Sequence, residues 1–598
     1  MKRTMAQYLS AYQTIAHAEK GEAVKIAILR SFSCEPLEQT LTVDLYETLN
    51  MRPSFYRGGF NQYAQEILNA DSGLYTYKPD YVFLLALIED ICAEVFERYY
   101  NITNLGEYID NAVDEYIGII GTLQKRIGGD VAICNFSLPY YMQNTSYHAQ
   151  SPNGVGNLVA RANLRLSEKL SKNNAYILDI NETIRIIGVE QAYDPKMFML
   201  AGNPYAFTTY AALSRSAASL ISSILGRRKK CIVLDLDNTL WKGIVGEGGV
   251  GEGEDNGDDA NDTDSGIEIS EPYRQMQKQL LQWNDSGILL AICSKNNYND
   301  AIKIIREHPG MILREENFAA LRINWDNKTD NIISIANELN IGIDSMIFID
   351  DSAYECGLVA KALPEDEVIQ LDGNTAAYAE IVKNIRSLDF VRLTEADRSR
   401  TAEYKAQNHR AELKACSYDI ESYLRSLNMT VKIDFVNQFT IARAAQMTQK
   451  TNQFNLTTKR YTVVQLQQLL DKGYLILTLE SSDRFGDNGI VGLMILNTEF
   501  ANEGIWEIDT FLLSCRVIGR ELERAFLSVI IKFADECNID ILIGNYSPTE
   551  KNELVRDLYE KCRFIYESGK WVFDVKLGFN VPSYFDIKFP LMSSSRLL

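Results

Sequence analysis

At 598 residues the chain is too long for one hydrophobic core, and its length predicts about three or four domains. With 46% hydrophobic and 23% charged residues it has the balance of an ordinary globular protein, which excludes a low-complexity or multi-span membrane chain. A formal net charge of −20 argues against sequence-independent binding to nucleic acid, whose phosphates would be repelled.

In chain order, residues 1–228 alternate β-rich runs at 25–29, 81–87, 131–136 and 176–180 with longer helical stretches. Near-continuous apolar strands separated by helices predict a parallel sheet covered on both faces. The charged run 226–230 reads as a linker. Residues 229–390 repeat the rhythm, with strands at 231–236, 288–294, 345–350 and 368–371, interrupted by an acidic, glycine-rich segment at 246–266. That segment has too few apolar residues to pack and lacks the spaced ligands of a calcium loop. Residues 391–598 read as mixed α/β, with helices at 394–427, 439–451, 519–537 and 551–562 and strands at 475–479, 490–496, 506–512 and 539–543. The fold class expected is therefore α/β and multidomain.

The ten cysteines form no CxxC pair, so they read as reduced thiols, mostly in cores, rather than a disulfide or zinc framework. No run has the length of a membrane span, and Met1 to Lys20 has no signal-peptide stretch, so a cytoplasmic enzyme without membrane contact is expected. Only four histidines exist, His17, His148, His308 and His409, which limits histidine-based chemistry.

The strongest chemical signal is Val233-Leu-Asp235-Leu-Asp237-Asn-Thr239-Leu-Trp241. An apolar strand ends in two carboxylates one residue apart, so both emerge at its carboxyl end, where parallel sheets place their sites. One carboxylate can attack phosphorus while the other handles the leaving-group proton. Ile292-Cys-Ser294-Lys-Asn296 then supplies a hydroxyl at a strand end, Lys328 a point charge, and Phe348-Ile-Asp350-Asp351 paired carboxylates suited to Mg²⁺.

This order, DxD then Ser, Lys and DD, resembles the haloacid-dehalogenase superfamily over about 160 residues. The resemblance implies a Rossmann-like middle domain with Asp235 as nucleophile and metal ligand. Asp237 would be the acid/base and would also bind metal through its backbone carbonyl. Thr239, Ser294, Lys295, Asn296 and Lys328 would surround the phosphate, and Asp350 and Asp351 would complete the Mg²⁺ site. The acidic segment falls where that superfamily inserts a flap, and with no large cap the site would be open to a bulky or carrier-bound substrate.

Further on, Cys515-Arg516-Val-Ile-Gly519-Arg520-Glu521 resembles the acyl-CoA loop of GCN5-related N-acetyltransferases, with Glu521 where a small residue is usual and Arg563 where Gly is usual. A carboxylate beside a pyrophosphate would weaken it, whereas the phosphopantetheine arm of a carrier protein has none. Together with Gln449-Lys-Thr-Asn-Gln-Phe-Asn455, Asp483-Arg-Phe-Gly-Asp-Asn-Gly489 and Ser72-Gly-Leu-Tyr75, these motifs make the whole chain similar to the FkbH-like family. That resemblance implies a glyceryl transferase/phosphatase of polyketide-type pathways. Such an enzyme takes 1,3-bisphosphoglycerate, removes phosphate and leaves a glyceryl thioester on an acyl carrier protein.

Under this reading Cys515, at a strand-to-helix opening, either holds the glyceryl group or is a core cysteine, the carrier's thiol then attacking directly. Asp483 to Gly489 is a tight turn or part of an acyl site in which Arg484 and Asn488 grip the ligand. Gln449 to Asn455 is likewise a polar site or core packing. Arg516, Arg520 and Arg524 are expected to form one basic face for an acidic carrier.

At the front, residues 25–33 with Ser31, Gly58, Gly59 and Asp80 resemble an SGNH-hydrolase, flavodoxin-like layout. The late histidine of such hydrolases is missing and Tyr193-Asp194-Pro195 stands near its place, so a non-hydrolytic docking or stabilising domain is expected. The rival reading is a phosphatase of a small phosphorylated sugar or polyol with a C-terminal N-acyltransferase.

Overall fold

The computed structural model describes residues 3–16, 20–143, 145–170, 175–245, 267–362, 368–393, 410, 413, 418–549, 551–580 and 582–589. The acidic segment 246–266, His17, His409 and most of the helix expected at 394–427 lie outside the described residues. The chain is a multidomain α/β protein whose described strands form three sheets. It divides into two compact units, Met1–Ile224 with Thr462–Gln465, and Leu225–Tyr461 with Leu466–Leu598.

The first unit is built on a parallel sheet of β1 (Glu22–Arg30), β2 (Met51–Arg57), β3 (Tyr81–Leu85), β4 (Asp130–Cys134) and β5 (Tyr176–Leu178), in the order β2-β1-β3-β4-β5. β3 and β4 are buried along their whole length, as central strands covered on both faces require. The edge strand β2 is mostly half-buried and contains Pro53, which is why no apolar run marks it in the sequence. At the carboxyl end of β1 the Ser31 hydroxyl is buried and occupied, accepting from the Leu87 N–H at 2.9 Å and bonding to Asp90. Tyr193-Asp194-Pro195 is a helix start, with the Asp194 carboxylate capping the helix Pro195–Ala201 through the Met197 N–H. His148 is spent on a local cap, its Nδ1 accepting from the Thr145 N–H.

The second unit carries two sheets. One is parallel, β6 (Cys231–Leu234), β7 (Leu289–Ser294), β8 (Phe318–Ile323), β9 (Met346–Asp350) and β10 (Val368–Gln370), ordered β10-β9-β6-β7-β8. The chain proceeds outward from β6 through β7 and β8, then returns to β6's other side as β9. The direction of winding therefore reverses at β6, and open α/β sheets place ligands in the crevice at that point, beyond the carboxyl ends. Every residue of β6, β7 and β9 is buried, and Cys231 and Cys293 point into this core; burial pushes the Cys293 thiol up to about 12.

The other sheet has eight strands. These are β11 (Met429–Phe435), β12 (Leu475–Asp483), β13 (Gly486–Asn497), β14 (Ile505–Leu513), β15 (Ile541–Gly544), β16 (Ile565–Glu567), β17 (Lys570–Asp574) and β18 (Phe585–Lys588). It is antiparallel apart from β14 beside β15 and β11 beside β18. β14 pairs with β15 only over Ile505–Ile508 and then diverges. The backbone groups this divergence would free are taken by the chain itself: Leu456 N–H donates to Phe511 O at 3.1 Å, and Leu513 N–H to Phe454 O at 3.0 Å. The Asn552 side chain, wholly buried, locks that segment by donating to Asn455 O at 2.8 Å. The helix expected at 551–562 is accordingly broken into a 3-10 turn, Glu553–Val555, and a short helix, Leu558–Lys561.

Candidate active site

The DxD motif lies where the winding reverses. Parallel register sets Leu234 beside Ile349 and Ile292, so the next residue, Asp235, emerges beside Asp350, with its N–H held by Ile349 O at 3.0 Å. Asn238 turns the chain away in the left-handed region (φ 54°), a conformation short polar side chains tolerate. Two helix starts deliver the remaining groups. The Asn327 carboxamide caps the helix Lys328–Glu338, making Lys328 its first residue, and Ser352 caps Ala353–Val359 directly after the paired aspartates.

Lys328 is buried and its ammonium bridges two carboxylates, donating to Asp235 Oδ1 at 2.5 Å and to Asp350 Oδ2 at 2.6 Å. Asp350 is fully buried, and its other oxygen accepts from the Ser352 N–H at 2.8 Å. Burial, against the pull of Lys328 and with repulsion from Asp350, pushes Asp235 up to about 7, while the Ser294 hydroxyl bonds to its carboxylate. Burial also opposes the Lys328 charge, but the two carboxylates outweigh it and hold the ammonium above the lysine range. Asp351 is raised by burial and by Asp350. Asp235, Asp350 and Asp351 each offer an oxygen within 4.8 Å of the others, a hard donor set that fits Mg²⁺.

Asp237 faces differently. Its Oδ1 accepts from Trp241 Nε1 at 2.8 Å and its Oδ2 from Asn296 Nδ2 at 2.9 Å, so its carboxylate is outside the oxygen cluster and only its backbone carbonyl is left to offer a metal. Burial raises its pKa, which the Trp241 and Asn296 donors partly reverse. Two of the expected phosphate ligands are engaged elsewhere: the Asn296 amide holds Asp237, and Lys295 is paired with Glu355 at 2.7 Å. The Thr239 hydroxyl is buried without a hydrogen-bond partner. Trp241 was visible in the motif, but only the structure gives its indole N–H a role.

In the eight-stranded part, Cys515 is half-buried and opens a single 3-10 turn, Cys515–Val517; the long helix begins at Leu522. A helix-terminus argument for a thiolate therefore falls away. The Asn340 side chain donates to Cys515 O at 2.9 Å. Arg516 donates to Asn488 O at 3.3 Å, and Gly519 takes a positive φ of 80° that lets the loop turn. Asn488 is buried and accepts from Arg520, whereas Arg484 is exposed over the Phe485 ring and shares no partner with it. The expected basic face is not one face. Arg516 lines a cavity, Arg520 is buried against Asp483 at 3.1 Å, and Arg524 is paired with Glu521 at 2.9 Å. Within Gln449 to Asn455, Phe454 is buried and Asn455 is bound to Asn552, while Thr451, Asn452 and Gln453 line the cavity that Arg516 also lines.

No protein-family model matches the sequence, and no curated protein matches it. Among solved structures, the chain is similar to the N-terminal part of the protein BF1531 from Bacteroides fragilis, which contains a phosphatase domain and was crystallised with Mg. The two share 22% identity with a TM-score of 0.54 over 65% of this chain and 100% of that one, a likeness that establishes the fold. Slighter likenesses are to mutant forms of the spermidine/spermine N-acetyltransferase SpeG from Vibrio cholerae and to the α/β-hydrolase LAE5 from the metagenome of Lake Arreo. The first has 13% identity and TM-score 0.20 over 25% of this chain and 95% of that one; the second has 11% and 0.23 over 33% and 95%. At these TM-scores neither defines a fold. Among the described residues no helix is long and apolar enough to cross a membrane.

Proposed function

We propose that this chain is a phosphatase and acyl transferase with the activity of the FkbH-like family: it takes 1,3-bisphosphoglycerate, removes phosphate and delivers a glyceryl thioester to an acyl carrier protein. The observation that carries the phosphatase half is the Lys328 bridge between Asp235 and Asp350 at the reversal point of a parallel sheet, with Asp237 held apart by Trp241, Asn296 and the Val245 N–H. Asp235 is the group to attack phosphorus. Asp237, protonated more easily than an ordinary aspartate, is the group to protonate the departing alkoxide and then to activate water against the aspartyl phosphate. Mg²⁺, present in the crystals of the similar Bacteroides fragilis protein, would be held by Asp235, Asp350 and Asp351 and would neutralise charge on the transferring phosphoryl group.

Thioester formation needs a thiol rather than a carboxylate, and Cys515 supports this half: it is half-buried and lines a cavity. The β14 edge, where an extended acyl-carrying arm would add as a strand, is already taken by Phe454 and Leu456, so it favours neither a carrier's arm nor a coenzyme's. The test is intact-protein mass spectrometry after mixing enzyme, Mg²⁺, freshly generated 1,3-bisphosphoglycerate and a phosphopantetheinylated carrier. A dephosphorylated glyceryl adduct on the carrier, absent with Asp235→Asn, is expected. Phosphate release without an adduct on any of several carriers would leave only a small-molecule phosphatase.

A further inference from the structure

The cavity beside Cys515 lies at the other end of the five-stranded sheet of the second unit from the carboxylates. Lys230 immediately precedes β6 and Ser345 immediately precedes β9, with Lys230 N–H donating to Ser345 O at 2.7 Å, and both residues line it. The cavity therefore opens at the amino ends of the same two strands whose carboxyl ends hold Asp235 and Asp350. From Lys230 to Asp235 is one strand length, roughly 16 Å at about 3.3 Å per residue.

Its volume is about 350 Å³, near the lower end of small-molecule pockets, which run from ~300 to ~1,000 Å³. A compact ligand fits; a whole coenzyme does not. In a chain of net charge −20 the described residues of its lining are cationic in balance: Lys551 is paired with Asp344 at 2.5 Å, and Lys230, Arg443 and Arg516 stand beside that pair. The cations select an anion, and Cys515 lines the same cavity.

We propose that this cavity is a second anion site, separate from the phosphotransfer carboxylates, that binds a small phosphorylated hydroxy acid with its phosphate among Arg443, Arg516 and Lys230. The substrate class rests on the function proposed above; the existence of the site does not. One consequence concerns the order of reaction. A phosphorylated three-carbon group beside Cys515 is too short to span the sheet, so the molecule hydrolysed at Asp235 is not at that moment bound beside Cys515.

Among the described residues two thiols are half-exposed, and they make the test internal, since Cys537 lies outside the cavity. Alkylation by iodoacetamide is followed at both cysteines by peptide mass spectrometry, with and without 3-phosphoglycerate as the probe and without carrier or 1,3-bisphosphoglycerate. Several-fold slowing at Cys515 alone is expected, and it should persist in Asp235→Asn. The concentration giving half-protection should rise at least tenfold in Arg443→Gln and recover in Arg443→Lys. No slowing at Cys515, equal slowing at Cys537, or protection lost with Asp235→Asn would overturn the second site. A missing carrier adduct combined with intact protection would instead count against the transferase reading alone.

Discussion

Lys328 and Asp235 meet at 2.5 Å across 93 residues of sequence, with the same ammonium 2.6 Å from Asp350. One buried cation thus serves two buried carboxylates, and Lys328→Met leaves those carboxylates facing each other. Removing one partner of a buried ion pair costs about 3–5 kcal/mol, because the charge left behind is uncompensated. Urea unfolding of Lys328→Met is expected to show a loss of that order without Mg²⁺ and a larger recovery on adding Mg²⁺ than the parent shows. Equal stability of the two proteins without metal would mean that the triad holds no excess negative charge.

The same cluster sets a pH dependence. Asp235 is raised by burial, so its contribution to stability is fully present below the ordinary aspartate value, ~3.9, and is lost as pH rises through about 7. Mg²⁺ needs the ionised carboxylate, so its affinity climbs over that window. The gain in Tm on adding Mg²⁺ should be larger at about pH 8 than at about pH 5.5, and Asp235→Asn should flatten the difference. A Tm gain independent of pH in the parent protein would show that Asp235 does not titrate there.

Trp241 is a positioning residue for Asp237. Its indole N–H steadies the ionised form of Asp237, and a hydrogen bond to a charged acceptor contributes about 1.5–3 kcal/mol. Trp241→Phe should therefore raise the Asp237 pKa and move the alkaline limb of the rate toward higher pH by about one unit for an alkyl phosphate. With p-nitrophenyl phosphate, whose leaving group needs no proton, the alkaline limb due to Asp237 should be absent in both the parent and the variant. A parallel change with both substrates would point to general loosening of the core that Trp241 fills.

Most central parallel strands were legible because burial on both faces writes them as apolar runs: β3, β6, β7 and β9 fall within expected runs and β4 begins one residue before its own, whereas the edge strand β8 was not expected. Nor was β2, since an edge strand with Pro53 and only one buried residue carries no such run. In the site, residue types and spacing placed Asp235, Ser294, Lys328 and Asp350 together, but direction was invisible: nothing in Asn296 says that its amide turns to Asp237 rather than outward. The polar run 449–455 was ambiguous because its partner, Asn552, lies 97 residues away from Asn455.

The same non-local blindness hid the role of Asp483, and it yields a last prediction. Its side chain is wholly buried and accepts from Arg410 at 2.8 Å, 73 residues earlier, and from Arg520 at 3.1 Å. Burial and the repulsion of Arg410, opposed by Asp483, lower Arg520 to about 10. Asp483→Asn leaves two buried guanidinium groups without their carboxylate and should cost about 3–5 kcal/mol. Arg484→Ala, one residue on but exposed, should cost less than about 1 kcal/mol. Urea midpoints of the two variants decide the matter. If Arg484→Ala proved the more costly, the motif would owe its residues to that arginine; the opposite order makes Asp483 the keystone that holds the Cys515 loop, through Arg520 and Asn488, in the shape its cavity requires.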